Sequence, residues 1–189
     1  MKVLIACEYS GTVRDAFAAK GHYAMSCDIL PTENEGLHYQ GDVMDIINDG
    51  WDLMIAHPPC THLAVSGARH FHKKQKEQAD ALDFVQKLLN APIEKICLEN
   101  PVSIISTRIK KPTQIIQPYE FGHSVSKKTC LWLKNLPKLN STNIVDKGEF
   151  ITYSSGKRMH SWYAKKWGDG KSRSMFWPGI AEAMADQWG

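Results

Sequence analysis

Residues 2–21 read KVLIACEYSGTVRDAFAAKG, and this stretch changes its hydrophobic period part-way through. Lys2 to Cys7 is a short apolar run with β-branched members, the pattern of a buried strand. Beyond Ser10, Val13, Ala16, Phe17 and Lys20 recur at helical spacing, with Ser10 placed to cap the helix and Gly21 to stop it. A strand, a loop and a helix in immediate succession form the opening of an α/β unit.

The alternation continues along the chain. HYAMSCD (22–28) reads as a second strand ending at Asp28, YQGDV (39–43) as a short third ending near Asp42, and WDLMIA (51–56) as a fourth, buried strand ending at His57. Between residues 74 and 90, Ala81, Leu82, Val85, Leu88 and Leu89 make a helical stripe closed by Asn90 and Pro92. KICLEN (95–100) is the next strand. In the closing WPGIAEAMADQWG (177–189), Pro178 suits a helix start and Ile180, Ala181, Met184 and Trp188 share one face. The predicted fold is therefore α/β and Rossmann-like, a mostly parallel sheet with helices on both faces. Such sheets bind ligands beyond the carboxyl ends of their strands. Glu8, Asp28, Asp42, Cys60 and Glu99 all fall at such ends.

With 189 residues, 43% hydrophobic and 23% charged, the chain suits a single core, so one domain over 1–189 is expected. The net charge of +3 matters less than its distribution. Residues 134–173 lack a long apolar stripe and carry Lys134, Lys138, Lys147, Lys157, Arg158, Lys165, Lys166, Lys171 and Arg173 against Asp146, Glu149 and Asp169. Tyr153, Trp162, Tyr163 and Trp167 are interleaved, which reads as a basic, aromatic-rich excursion from the core. Five scattered cysteines without a CxxC pair suggest free thiols in a reducing compartment. No apolar run reaches the length of a signal-peptide core or a membrane span, so a soluble, cytoplasmic protein is expected.

HPPCTHLAVSG (57–67) carries the chemistry. Two prolines fix the backbone before Cys60 and project it into the expected cleft, and a thiolate is the strongest nucleophile among side chains at neutral pH. Glu99 ends the neighbouring strand, where it could donate a proton in the same cleft. His57, Cys60, His62, His70 and His72 raise a zinc reading, but their spacing matches no closed structural site, so no metal is expected. The loop CEYSGTV has one glycine and no P-loop lysine, and alone it is an ordinary turn. Asp28 is placed either to take two ribose hydroxyls or to close a turn, and Asp42 either to accept from an adenine amino group or likewise to close a turn.

Taken in order, EYSG, Asp28, Asp42, PPCTHLAVSG and ENP resemble the DNA cytosine-C5 methyltransferase family, over about residues 1–133. More closely, the whole chain is similar to the short methyltransferase-like proteins encoded by phages and prophages. YEFGHSVSKKTCLWL (119–133) looks like the family's later segment, with Lys127 and Lys128 where arginines usually stand. The loop lacks the usual glycines, Thr61 replaces a glutamine, Pro101 replaces a valine, and no GN motif appears near the C-terminus. A large target-recognition domain would be reduced to residues 134–173.

The resemblance implies an S-adenosylmethionine-dependent enzyme that methylates C5 of cytosine in DNA. It implies Cys60, Glu99 and Asn100 as catalytic residues, and Glu8, Tyr9, Ser10, Gly11, Asp28, Asp42 and Pro58 around S-adenosyl-L-methionine. Contacts to DNA are expected from Ser66, Lys127, Lys128, Lys157, Arg158, Lys165 and Lys166. Two alternatives remain open: C5 modification of a free pyrimidine nucleotide, and a catalytically degenerate protein that binds nucleic acid or the cofactor.

Overall fold

The computed structural model describes residues 1–165 and 175–189. Its main sheet has seven strands: β1 (Lys2–Ala6), β2 (Tyr23–Asp28), β3 (His38–Gln40), β4 (Leu53–Ala56), β5 (Lys95–Pro101), β6 (Gln114–Ile116) and β7 (Thr129–Lys134). They lie in the order β3-β2-β1-β4-β5-β7-β6. The pairings from β3 to β5 are parallel, and β7 runs antiparallel to both β5 and β6. The helices are α1 (Thr12–Ala19), α2 (Gln75–Leu89), the short α3 (Ile105–Arg108) and α4 (Ser161–Lys165), and α5 (Pro178–Trp188). This is the Rossmann-like α/β fold, with an antiparallel strand inserted at one side of the sheet. A separate hairpin pairs β8 (Phe150–Thr152) with β9 (Arg158–His160). Among the described residues no helix is long and apolar enough to cross a membrane.

Strand alternation assigns each residue to a layer. Leu4, Ala6, Met54, Ala56, Ile96 and Leu98 pack on one face with Val85, Leu88 and Leu89 of α2. Val3, Ile5, Leu53, Ile55 and Cys97 pack on the other, against Val13 and Phe17 of α1 and Ile180, Ala181, Met184 and Trp188 of α5. The near-continuous apolar runs of β1 and β4 are thus explained by burial on both faces.

Two boundaries differ from the sequence expectation. Gly11, with φ 76°, is the N-cap of α1, where Ser10 was expected. The left-handed turn at Gly11 lets the Glu8 carboxylate reach over and accept the Val13 N–H at 2.7 Å and the Arg14 N–H at 3.2 Å. Those are the donors an N-cap side chain would serve. The third strand stops at Gln40 because Asp42 turns the chain, its Oδ1 accepting the Met44 N–H at 2.9 Å to open a 3₁₀ turn over Val43–Asp45.

The start of α5 is tied down by His123, whose Nε2 accepts the Gly179 N–H at 3.0 Å and whose ring lies 5.1 Å from that of Trp177. A Cβ on Gly179 would run into the Phe121 carbonyl oxygen, so the approach requires glycine. Burial holds His123 below the ordinary imidazole range, Glu182 opposing weakly, and burial with the N-terminal charge does the same to His22. A group depressed in the fold stays neutral there while the unfolded chain takes up a proton. This contribution is therefore complete above the unfolded value of about 6.5 and is lost as pH falls towards the folded values. The melting temperature is expected to drop between pH 7 and pH 5, and His123→Gln should show a shallower drop. An identical pH profile for the variant would remove His123 from the explanation.

Candidate active site

The site is assembled at the exits of β4 and β5. Their parallel register sets Ala56 beside Leu98, so the next residues, His57 and Glu99, meet. His57 Nδ1 lies 3.1 Å from Glu99 Oε2, and the two side chains are 13% and 14% exposed. Phe176 covers the imidazole at a ring distance of 4.7 Å, while His57 Nε2 is buried without a partner among the described residues. The carboxylate is thus oriented by a neighbouring imidazole.

Cys60 follows on a tight turn, its carbonyl accepting N–H bonds from Leu63 at 3.0 Å and Ala64 at 2.9 Å. The turn is fastened to the chain leaving β5: Asn100 Nδ2 donates to the Pro58 carbonyl at 2.9 Å, Ile104 N–H to Leu63 O at 3.0 Å, and Val65 N–H to Val102 O at 3.1 Å. Asn100 is 1% exposed, so this bond is made away from competing water. Its side chain contacts the loop backbone, and its Oδ1 is buried with no hydrogen-bond partner among the described residues. Pro58, expected beside a cofactor, is buried with that carbonyl committed to Asn100.

The other thiols are poor nucleophiles. Burial, reinforced by nearby carboxylates, pushes Cys7 and Cys27 up to about 12; burial pushes Cys130 to about 11 and raises Cys97 well above its ordinary value. None of the four forms appreciable thiolate at neutral pH. Cys60 is half-buried on the turn after β4.

A second cluster lies at the ends of β1 and β2. Cys7 has φ 61°, a left-handed conformation costly for a residue with a side chain, in the loop that turns into α1. The Gly41 N–H donates to the Asp28 carbonyl at 2.9 Å, which sets the following Asp42 next to the end of β2. Asp28 is half-buried and closes a turn with Oδ1 accepting the Leu30 N–H at 2.9 Å; Asp42 is exposed and likewise spends one oxygen on its turn. Each keeps a second carboxylate oxygen. Glu8 is buried and occupied with α1, and Ser10 Oγ donates to it at 3.3 Å. Glu8 and Ser10 hold the loop in shape, while Tyr9 and Gly11 lie within it. Ile29, directly after Asp28, is 75% exposed, an apolar surface suited to a purine ring that sequence inspection passed over.

Arg14 was also missed. It is 1% exposed on α1, and its guanidinium donates to Ser26 Oγ, Thr32 Oγ1 and the carbonyls of Asn34 and Glu35, with Asp15 Oδ1 at 2.8 Å. Asn34 Nδ2 donates to the Ser10 carbonyl, and Glu33 N–H to that of Tyr9. The segment after β2 is thereby clamped over the loop after β1. No local pattern signals this; an arginine in the first turn of a helix reads as a surface residue.

The cationic candidates divide. Because β7 runs opposite to β5, with Pro101 beside Thr129, Lys127 and Lys128 are delivered to the edge that bears Glu99. Ser66 is exposed in the 3₁₀ stretch Val65–Lys73 beyond Cys60. Lys157 and Arg158 belong to the β8–β9 hairpin, Arg158 stacking on Phe150 at 5.0 Å, and Lys165 ends α4. Trp162 of α4 packs on Trp177 at 5.4 Å, next in the chain to the Phe176 that covers His57, so hairpin and site adjoin. Part of the basic segment belongs to the core after all: Leu139 is buried against the α5 face. Lys166, Trp167, Lys171 and Arg173 lie outside the described residues.

No protein-family model and no curated protein matches the chain. Among solved structures it is similar to an E. coli protein described as a candidate DNA modification methyltransferase encoded within a prophage, with 15% identity and a TM-score of 0.49. The match covers 77% of this chain and 52% of that one, so the chain spans about half of that protein's length. At this identity no residue role transfers from it.

Proposed function

We propose that this protein transfers a methyl group from S-adenosylmethionine to DNA, at C5 of cytosine, through a covalent bond to Cys60. The observation that carries the reading is the locking of the Cys60 turn, through Asn100 and Pro58, to the strand exit that presents Glu99. Covalent activation of an unreactive pyrimidine carbon requires a nucleophile and an acid, and this coupling supports Cys60 and Glu99 in those roles.

C5 of cytosine does not attack a sulfonium methyl unaided. Addition of the Cys60 thiolate to C6 makes C5 enamine-like, and Glu99, steadied by His57, hydrogen-bonds the base at N3 and its amino group as charge develops there. After transfer the C5 proton leaves and the S–C6 bond breaks, returning the thiolate. A base within a duplex must first be flipped out, at a cost of a few kcal/mol. S-adenosylmethionine supplies the electrophilic methyl when bound. The residues fit it: Asp28 and Asp42 each retain an oxygen for ribose or adenine donors, and exposed Ile29 offers an apolar face.

The test is incubation with labelled S-adenosylmethionine and mixed-sequence DNA, followed by nucleoside analysis. Label in 5-methylcytosine supports the proposal; label on an exocyclic amine, or turnover on a free deoxycytidine nucleotide with none on DNA, replaces it. Calorimetry with Asp28→Ala is expected to show cofactor binding weaker by about 1–3 kcal/mol through lost ribose hydrogen bonds. Unchanged affinity would place the cofactor elsewhere.

A further inference from the structure

The chain leaving Cys60 runs through the 3₁₀ stretch into α2, and the chain leaving Glu99 runs into α3. Between them lies a groove of about 450 Å³ whose walls include Phe71, His72, Gln78, Leu82, Ile104 and Arg108. The volume is in the range of small-ligand sites. Leu82 and Ile104 are apolar, Phe71 is a half-buried aromatic, and Gln78 Nε2 is shielded from solvent with no hydrogen-bond partner among the described residues.

The surroundings are cationic in a way that neither run of sequence shows alone. Arg108 lines the groove, Lys73 and Lys74 lie in the chain between its lining residues His72 and Gln75, and Arg69, Lys76, Lys110 and Lys111 are within a few positions in sequence; none of them forms an ion pair among the described residues. Glu77 and Asp80 are the acids near the start of α2, while Asp83 is paired with Lys87. An aromatic and apolar lining with a margin of unpaired cations matches one chemistry: an unstacked base with phosphates on either side.

We propose that this groove holds a base of single-stranded nucleic acid next to the strand engaged at Cys60. Phe71 stacks on the base, and Arg108, Lys73 and Lys74 take flanking phosphates. Its role as a grip beside the target base rests on the methyltransferase reading; its existence as a binding site does not.

Fluorescence anisotropy with a labelled oligothymidylate and an abasic strand of equal length tests it, with no cofactor present. Phe71→Ala is expected to weaken oligothymidylate binding roughly 5- to 150-fold and leave the abasic strand unaffected, and Phe71→Trp should restore it. Neutralising Lys73, Lys74 and Arg108 to glutamine should lower the slope of log affinity against log salt by about 2, three contacts at about 0.7 each. Circular dichroism and melting of each variant confirm that it folds. Phe71→Ala acting equally on both strands or on neither, duplex bound more tightly than single strand, or a salt slope that responds to Lys157, Arg158 and Lys165 instead, would each overturn the groove. Base-dependent binding without methyl transfer would leave it standing while refuting the methyltransferase reading. Methyl transfer indifferent to Phe71 would overturn the groove's role as a grip beside the target base while leaving the methyltransferase reading in place.

Discussion

DNA carrying 5-fluorocytosine is expected to become covalently joined to the wild-type protein in the presence of S-adenosylmethionine, and Cys60→Ser is expected to abolish the adduct. The sulfur bonds to C6, the methyl arrives at C5, and release then requires loss of the substituent already on C5. A proton leaves readily; fluorine cannot leave as a cation, so the S–C6 bond persists and survives denaturing electrophoresis. Serine fits the same turn, but its hydroxyl is far less ionised than a thiol near neutral pH. Glu99→Gln keeps the shape beside His57 and loses the acid, so trapping should slow on the order of 10²-fold or more without disappearing. Wild-type protein that binds both DNA and S-adenosylmethionine yet forms no adduct would leave a binding module in place of an enzyme.

Arg14→Met should lower unfolding free energy by about 2–4 kcal/mol, because methionine fills part of the volume and none of the hydrogen-bonding role. Arg14 is 1% exposed, and its loss takes the guanidinium from the Glu35 carbonyl, from Ser26 Oγ and Thr32 Oγ1, and from the Asn34 carbonyl, which keeps the Thr32 hydroxyl as a donor. For a chain of this size that corresponds to roughly 4–16 °C in melting temperature. The effect should reach function as well. With the clamp gone, the segment after β2 no longer covers the Tyr9–Gly11 loop, and S-adenosylmethionine affinity should fall together with stability. A variant melting within 1 °C of wild type, by this argument about 0.5 kcal/mol or less, would show that the guanidinium bonds are replaced by water at no cost.

The pattern of residues along the chain was enough to place most elements of the fold. Val13, Ala16 and Phe17 repeat with helical period and form α1, the stripe from Ala81 to Leu89 forms α2, and the apolar runs ending at Asp28, His57 and Asn100 close β2, β4 and β5 within a residue or so. Periodicity is a local property, and burial on one helix face or on both sheet faces writes it into neighbouring positions. Strand ends were therefore legible, and with them the stations of Asp28, Cys60 and Glu99.

What each side chain does at its station depends on partners distant in sequence. Glu8 was at the expected strand end, but Gly11's left-handed turn directs its carboxylate to the amides of α1. Glu99 meets His57 because β4 and β5 are parallel and in register, a pairing across 42 residues that no window contains. Lys127 and Lys128 come to the same edge because β7 enters the sheet in reverse. Phe71 and His72 share one groove with Ile104 and Arg108, a juxtaposition that no window of sequence contains. Composition and period establish which residues leave water; the order and direction of the strands decide which of them meet, since that choice is made by packing whole elements and not by any local preference.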